Sequence, residues 1–585
     1  MARWKRYTHG RVDYAPSQEA ARRYPDIPLS EFQRAVQLIE PNGRRSSAAQ
    51  AVFRALEYGG SPLWSRAYDH IPGFAPVSEF VYGIIAGHRP MFSTFTSWLW
   101  GNPGAPSSYR QARWLFLRAL ALIYGIAFWS FGHQIKGLIG SQGILPAHDF
   151  LEHLVSYGYA RFWYVPTLAW VNSSDRFLVG LCGAGVVFSL LALFNIAPRL
   201  AFAALWALYL SLVSVGGDFM SFQWDALLLE TGFLAIFYAP GGLFPQRQGS
   251  SSPSPVLLFL LRWLLFRLMF QSALVKWLSD DPLWHQFTAL TVHYQTQPLP
   301  SPFSWYIHQM PVLFHKLSCM GMFLIEGLVP FLIFAPRRLR FFAFGSFAVL
   351  QLFIFITGNY TYFNLLAIVL CLPLLDDEVL RTLLPSWCDE PLAEERHKLR
   401  PWIATSLGGA ILFLTTVPFL RVVGVRPWEW LMAPAVWTSP SRSFNNYGLF
   451  AVMTPERPEI ILEGSNDGKT WLAYEFKYKP GDISVRPHQV APDQPRLDWQ
   501  MWFAALGDYR QNPWFMNLCV RMLQGAKPVM DLLKGNPFPG QPPRFLRAML
   551  YVYRFTTPLE RHQTGKWWDR TPRGIYCPVL SIREK

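Results

Sequence analysis

Cysteine is scarce in this chain and never spaced for chemistry. Six are spread over 585 residues, none in a CxxC or zinc-type spacing, which removes the usual signs of a redox or structural-zinc module. Cys182, Cys319 and Cys371 lie in or beside apolar runs, where an inert buried thiol is the default. The sequence leaves open whether Cys519 and Cys577, in the C-terminal region, pair. HxH and HExxH spacings, a nucleophile elbow and a phosphate-binding glycine loop are also missing. No metal and no other cofactor is therefore expected. Charge is the second shortage. Only 16% of residues are charged against 51% hydrophobic, too few for a chain of several soluble domains. The basic start MARWKRYTHG has no apolar stretch behind it, so no cleavable signal peptide is expected.

What is present is long apolar runs, at about 113–131, 177–194, 200–216, 223–240, 256–277, 319–335, 341–358, 361–375 and 401–420. Most approach the roughly 20 residues needed to cross a bilayer, and Trp and Tyr cluster at their ends. The fold class this implies is a polytopic α-helical membrane protein of about eight to nine spans with soluble ends, embedded in a lipid bilayer. The net charge of +15 then belongs to cytoplasmic loops rather than to a nucleic-acid surface, for which no motif exists. With the N-terminus inside, Arg199, Arg247, the RRLR cluster at 337–340 and ERHKLR at 395–400 all fall on the cytoplasmic side. The opposite loops at 217–222 and 358–361 hold no Lys or Arg. The C-terminal region is thereby expected outside the cytoplasm.

The spacing divides the chain into residues 1–60, soluble in character, a linker with interfacial helices over 61–112, a membrane domain over 113–421, and a soluble α+β domain over 440–585. In the first, AVQLIE reads as a strand, Pro41-Asn42-Gly43 as a turn, and Ser46 or Ser47 as a helix N-cap. In the last, RPEIILEGSNDGKTWLAYEFKY reads as two strands about a hairpin turn at Asp467 and Gly468. RLDWQMWFAAL and NPWFMNLCVRMLQGAKPVMDLL read as amphipathic helices, and PPRFLRAMLYVYRFTT as a return to strand.

Six ionisable residues interrupt the runs: Asp225 and Glu230 in the fourth, Arg262, Arg267 and Lys276 in the fifth, and Glu326 in the sixth. Such groups are costly in a bilayer and usually face a bundle interior with partners. Depth pairs Glu230 with Arg267 and Asp225 with Lys276. The loop after Lys276 carries His285, His293 and His308, and is expected to pack on the membrane surface through Trp284, Trp305 and Tyr306.

Several strings stand together: FQWDALLLETGFLAI, FRLMFQSALVKW, HYQTQPLPSPFSWY, ITGNYTYFNLLAIVLCLPLLDD, YGLFAVMTPERPEIILEGSNDGKTWLAYEFKYKPGD and RLDWQMWFAALG. Over roughly residues 110–580 they resemble the lipase maturation factor family. The resemblance implies a multi-pass protein of the endoplasmic-reticulum membrane that is not regarded as an enzyme. It helps secreted dimeric lipases fold and assemble, and a large C-terminal domain engages the secreted client. Residues 1–60 instead resemble the later half of a DCC-type thioredoxin-like domain without its CxxC segment, so a remnant or an upstream start is expected and no redox activity. That fusion suggests a bacterial inner membrane. A more distant resemblance, to the membrane domain of vitamin K-dependent carboxylases, carries the alternative of a membrane enzyme. It places Lys276, followed by Asp280, Asp281 and Trp284, as catalytic base, with His293 as a second candidate. The two readings separate on whether a lined cavity surrounds Lys276 or an exposed apolar patch lies on the C-terminal domain.

Overall fold

The structure, a computed structural model, describes residues 2–100, 108–245, 253–383 and 401–582. Arg247 and the 395–400 segment, expected in cytoplasmic loops, lie outside the described residues. The chain forms two compact units, residues 1–107 with 335–339, and residues 108–334 with 340–585.

In the first unit, Gln37–Ile39 pairs antiparallel with Arg45–Ser47 across a turn in which Gly43 takes φ +82. A helix follows at Ala48–Tyr58. Its first amides are satisfied from a distance, because Glu79 accepts from the backbone N–H of Gln50 at 3.1 Å and from the Tyr68 hydroxyl at 2.9 Å. Glu79 lies on a further helix, Phe74–Gly87, whose Val77, Phe80 and Val81 are exposed.

The nine apolar runs become nine helical segments, all in the second unit except residues 337–339. They are α1 (Arg110–Gly132), α2 (Asp175–Leu193), α3 (Pro198–Val215), α4 (Gln223–Tyr238), α5 (Pro255–Trp277), α6 (Val312–Phe323), α7 (Arg337–Thr357), α8 (Phe363–Cys371) and α9 (Pro401–Val422). A π-helical turn, Leu324–Leu328, and a 3-10 stretch, Val329–Phe334, extend α6. Seven segments are long and apolar enough to cross a membrane; α4 and α8 are shorter. The protein is thus a polytopic helical membrane protein with a C-terminal sheet-containing domain.

The two short helices still return across the full depth. At one end of the bundle, Arg199 at the start of α3 donates to Ala239 O just past α4 at 3.1 Å. Arg340 at the start of α7 likewise donates to Leu374 O just past α8 at 2.8 Å. Asp377 there accepts from the backbone N–H of Arg110 and Gln111, both at 2.9 Å. The other end carries the C-terminal domain. Gln134, after α1, donates to Gln494 O at 2.8 Å, and Trp502 donates to Thr296 O at 2.9 Å. Close approach holds α4 against α1: a Cβ on Gly232 would lie 1.8 Å from the Tyr124 hydroxyl, which donates to Leu228 O at 3.0 Å.

The C-terminal domain is built on an antiparallel sheet of β1 (Arg457–Ser465), β2 (Leu472–Ala473), β3 (Phe545–Phe555) and β4 (Trp568–Leu580), in the order β2-β1-β3-β4. Strand β1 is buried along almost its whole length, as its continuous IIL core implies. Two helices, α10 (Arg496–Ala505) and α11 (Pro513–Leu523), pack with the sheet. The β1–β2 connection is a six-residue loop rather than a two-residue turn. The Asp467 carboxylate stitches it by accepting from the N–H of Lys469 and Thr470 at 2.8 and 2.7 Å, and Gly468 takes φ +70.

Candidate functional site

The polar residues of the bundle collect in a seam where the spans meet the C-terminal domain. Asp225 lies in the first turn of α4 and Arg496 opens α10. The Arg496 guanidinium donates to both Asp225 oxygens, each at 2.9 Å. The hydroxyls of Tyr209 and Tyr362 donate to Asp225 Oδ1 at 2.5 and 2.9 Å. Both charges are fully buried. Burial alone would lower the Arg496 pKa, but the paired Asp225 outweighs it and raises the value. The backbone N–H of Arg496 donates to Gln134 Oε1 at 2.9 Å, and Trp224 Nε1 donates to Gln494 Oε1 at 3.0 Å. The Arg496–Asp225 pair thus ties the domain to α3, α4 and the chain at the ends of α1 and α8.

A second node lies deeper. Arg267 on α5 donates to Glu230 on α4 and to Asn445 O at 2.7 Å. Glu230 Oε2 accepts from the Tyr447 hydroxyl at 2.6 Å and from the Asn445 N–H at 3.0 Å. The chain leading into the domain thus threads back into the bundle. In a third node, Lys276 donates to Glu326 at 2.7 Å and to Ser272 O at 3.0 Å. Glu326 stands in the π-helical turn of α6. In a fourth, Arg457 on β1 bonds Glu459, which also pairs with Lys479 at 2.9 Å, and donates to Gln295 O and Pro298 O, both at 2.8 Å. Asn359 completes the seam: its Oδ1 accepts from Val490 N–H at 2.7 Å and its Nδ2 donates to His488 O at 2.8 Å.

The structure brings Glu230 and Arg267 together. It does not bring Asp225 to Lys276. That expectation is corrected: Arg496 takes Asp225 and Glu326 takes Lys276. Arg262 lies at the opposite end of the bundle, donating to Pro373 O at 2.9 Å with its guanidinium over the Tyr109 ring. The loop after Lys276 is a second correction for two of its three aromatic residues, since Tyr306 alone is exposed. Trp284 and Trp305 are buried rather than laid on a membrane surface, because their indole N–H groups find carbonyl partners at Phe450 and Thr556. His293 is buried, and burial with the nearby Lys276 charge pushes its pKa down to about 4. Its Nε2 is 3.1 Å from the Tyr360 hydroxyl.

This arrangement fastens the spans to the C-terminal domain. Lys276, the candidate base, donates on two sides, to Glu326 and to Ser272 O. Among the described residues, no three His, Cys, Asp or Glu side chains group to hold a metal ion. The five described cysteines are free and buried, Cys519 and Cys577 among them.

Sequence reasoning missed Arg496, Arg457, Glu459, Lys479 and Asn359. One signal was readable. A cation at the first position of a helix opposes the macrodipole, so Arg496 needed a buried anion.

The family model for the lipase maturation factor transmembrane domain matches residues 111–382, and that for the lipase maturation factor C-terminal domain matches residues 443–578. The chain belongs to the lipase maturation factor family. It is similar to human lipase maturation factor 2, at 39% identity over 81% of this chain and 83% of that protein. It is also similar to mouse lipase maturation factor 1, at 36% identity over 81% of this chain and 87% of the relative. No solved structure matches it. The two matched regions are the two sides of the seam: Asp225, Glu230, Arg267, Lys276 and Glu326 fall in the first, Arg496 and Arg457 in the second.

Proposed function

We propose that this chain is a membrane-anchored maturation factor that helps secreted lipases fold and assemble. The observation that carries the reading is the seam within a family whose relatives are named for lipase maturation. A sheet domain is fastened to the helical bundle by buried, paired charges, and it is held at a fixed height and orientation over the membrane. A client emerging beside the membrane would meet it there. The surface offered to the client is the outer edge of β4, where Ile575 and Val579 are exposed. Pro572, Pro578 and register shifts along β4 blunt strand addition there, so contact is through side chains.

The basic end of the bundle faces the cytoplasm and the domain lies outside it. Support comes from Arg199, Arg262 and Arg340 at one end and from the lack of Lys or Arg in loops 217–222 and 358–361 at the other. The DCC-type resemblance of residues 1–60 favours a bacterial inner membrane. The test co-expresses a secreted lipase with the full chain, with Ile575→Asp/Val579→Asp, or with neither. Active enzyme per unit of lipase antigen should rise with the native chain only. Equal specific activity in all three would overturn the reading.

A further inference from the structure

A groove of about 600 Å³ is lined by α1, α2 and the 490–493 loop. Leu122, Ile126 and Trp129 line it from α1, and Val186, Leu190 and Leu193 from α2. Both helices are apolar enough to cross a membrane, and Leu122, Trp129 and Leu190 are exposed. In a bilayer the medium at this depth is hydrocarbon, so an acyl chain, not water or a peptide, meets these side chains. The volume is that of a ligand-sized pocket, ~300–1,000 Å³. The α1 lining runs from residue 121 to 133, about 18 Å at a helical rise of ~1.5 Å per residue. That is close to one leaflet of a hydrocarbon core ~30 Å thick.

Midway along the groove the Ser189 hydroxyl is spent on its own helix, donating to Val186 O at 2.7 Å, and the other polar groups lie at the end towards the C-terminal domain. Ser130, His133 and Asp493 line it there. The Ser130 hydroxyl is already used, accepting from the Gln494 N–H at 3.0 Å. Asp493 is different. Its Oδ2 is 3.9 Å from His133 Nε2, and its Oδ1 is buried with no hydrogen-bond partner among the described residues. The side chain as a whole is one-third exposed, so a cationic donor at the top of the groove can reach the carboxylate and form a charge-assisted hydrogen bond. Trp129 stands at the same level, where aromatic side chains meet headgroups.

We propose that this groove binds one acyl chain of a bilayer lipid whose primary-ammonium headgroup donates to Asp493. A primary ammonium carries three N–H donors and a trimethylammonium carries none, so the site distinguishes two zwitterionic lipids of equal net charge. The inference is independent of any client, since it concerns the first two spans and the 490–493 loop.

The test places the full-length protein in phosphatidylcholine nanodiscs with a trace of diazirine-acyl phosphatidylethanolamine or diazirine-acyl phosphatidylcholine. Crosslinked peptides are mapped by mass spectrometry. The ethanolamine probe should label residues 121–133 and 186–193 at least fivefold above the exposed face of α7 around Val349, and above the choline probe at the same place. Ile126→Trp, which fills the groove from its open side, should bring labelling down to the α7 level. Asp493→Asn should keep chain labelling and erase the headgroup preference. Monodispersity and melting temperature check that both variants fold. Native-chain labelling no stronger than that of α7, or equal for the two probes, would overturn the proposal.

Discussion

Helices α5 and α7 are alike in length and apolar character, yet 67% of the membrane-length window of α5 is buried and only 22% of that of α7. The charges follow that division. Arg262, Arg267 and Lys276 are distributed along α5, and all three reach partners on other elements. Between Arg340 and Thr357, α7 carries no charged residue, and Phe342, Val349 and Leu352 are exposed. Inner helices can hold ionised groups because neighbours supply counter-charges and donors; outer helices have only lipid to offer. The charges of the inner helices also bond to the chain of the C-terminal domain and the segment leading into it, so the polar groups that specify the bundle's packing also orient the domain.

The sharpest way to break that contrast is Arg496→Gln. It strands Asp225, which keeps two tyrosine donors but loses its only cationic partner among the described residues. Removing one member of a buried pair costs about 3–5 kcal/mol. The yield of monodisperse, detergent-extracted protein should collapse, and the double change with Asp225→Asn should recover part of it. Val349→Ala on α7 should leave yield within ~0.5 kcal/mol equivalent of the native chain. Equal losses for Arg496→Gln and Val349→Ala would end the comparison.

Glu230→Gln and Arg267→Gln come next. Tyr447 and Asn445 still donate to position 230, and water defects or snorkelling soften the loss within a membrane. Each single should cost about 2–3 kcal/mol and the double less than their sum. Strictly additive losses, read from thermal unfolding in detergent, would show that the contact carries no coupling.

How much of this was legible follows from distance in sequence and from which element was being read. All nine helical segments stood out because hydropathy is local. Glu230 and Arg267 could be matched because both lie in runs whose depths can be counted. Asp225 could not, since its partner is 271 residues away in a segment that reads as the start of a soluble amphipathic helix. Lys276 and Glu326 were both visible, but the depth count gave Lys276 the wrong carboxylate; the π-helical turn at Leu324–Leu328 shifts side-chain register in a way that spacing does not show. Trp284 and Trp305 carry the composition of an interfacial anchor. Only the fold reveals that a protein domain, not a lipid headgroup layer, receives them.

The C-terminal domain repeats the buried-versus-exposed contrast in its pH response. Asp498 is buried in α10, and although the N–H groups of Tyr478 and Lys479 donate to it, burial pushes its pKa up to about 6. The unfolded value is ~3.9, so the folded state binds the proton more tightly. Its contribution to stability is fully present below ~3.9 and is lost as pH rises through about 6, on the order of 3 kcal/mol. Asp498→Asn, which keeps an acceptor oxygen, should flatten the melting temperature between pH 4 and 7 relative to the native chain. Parallel pH profiles for the two proteins would refute the assignment.

The smallest effect belongs to the exposed loop between β1 and β2. Asp467 accepts from the N–H of Thr470 and Lys469 and from the Ser465 hydroxyl, and these bonds hold its carboxyl well below the usual range. The sign is opposite to that of Asp498: the contribution is present above the unfolded pKa and is lost as pH falls. Nearby Gly468 takes φ +70 with only Phe545 at 4.0 Å from where a Cβ would stand, so space is not the obstacle to a larger residue. The backbone is, because a β-branched residue resists the left-handed region. Gly468→Val should therefore lower stability by about 1 kcal/mol, and Gly468→Asn, which tolerates that conformation, by less. Both should leave the seam, and hence extraction yield, unchanged. If valine and asparagine lower the melting temperature equally, the loop relaxes away from positive φ and the cost lies elsewhere than in the backbone.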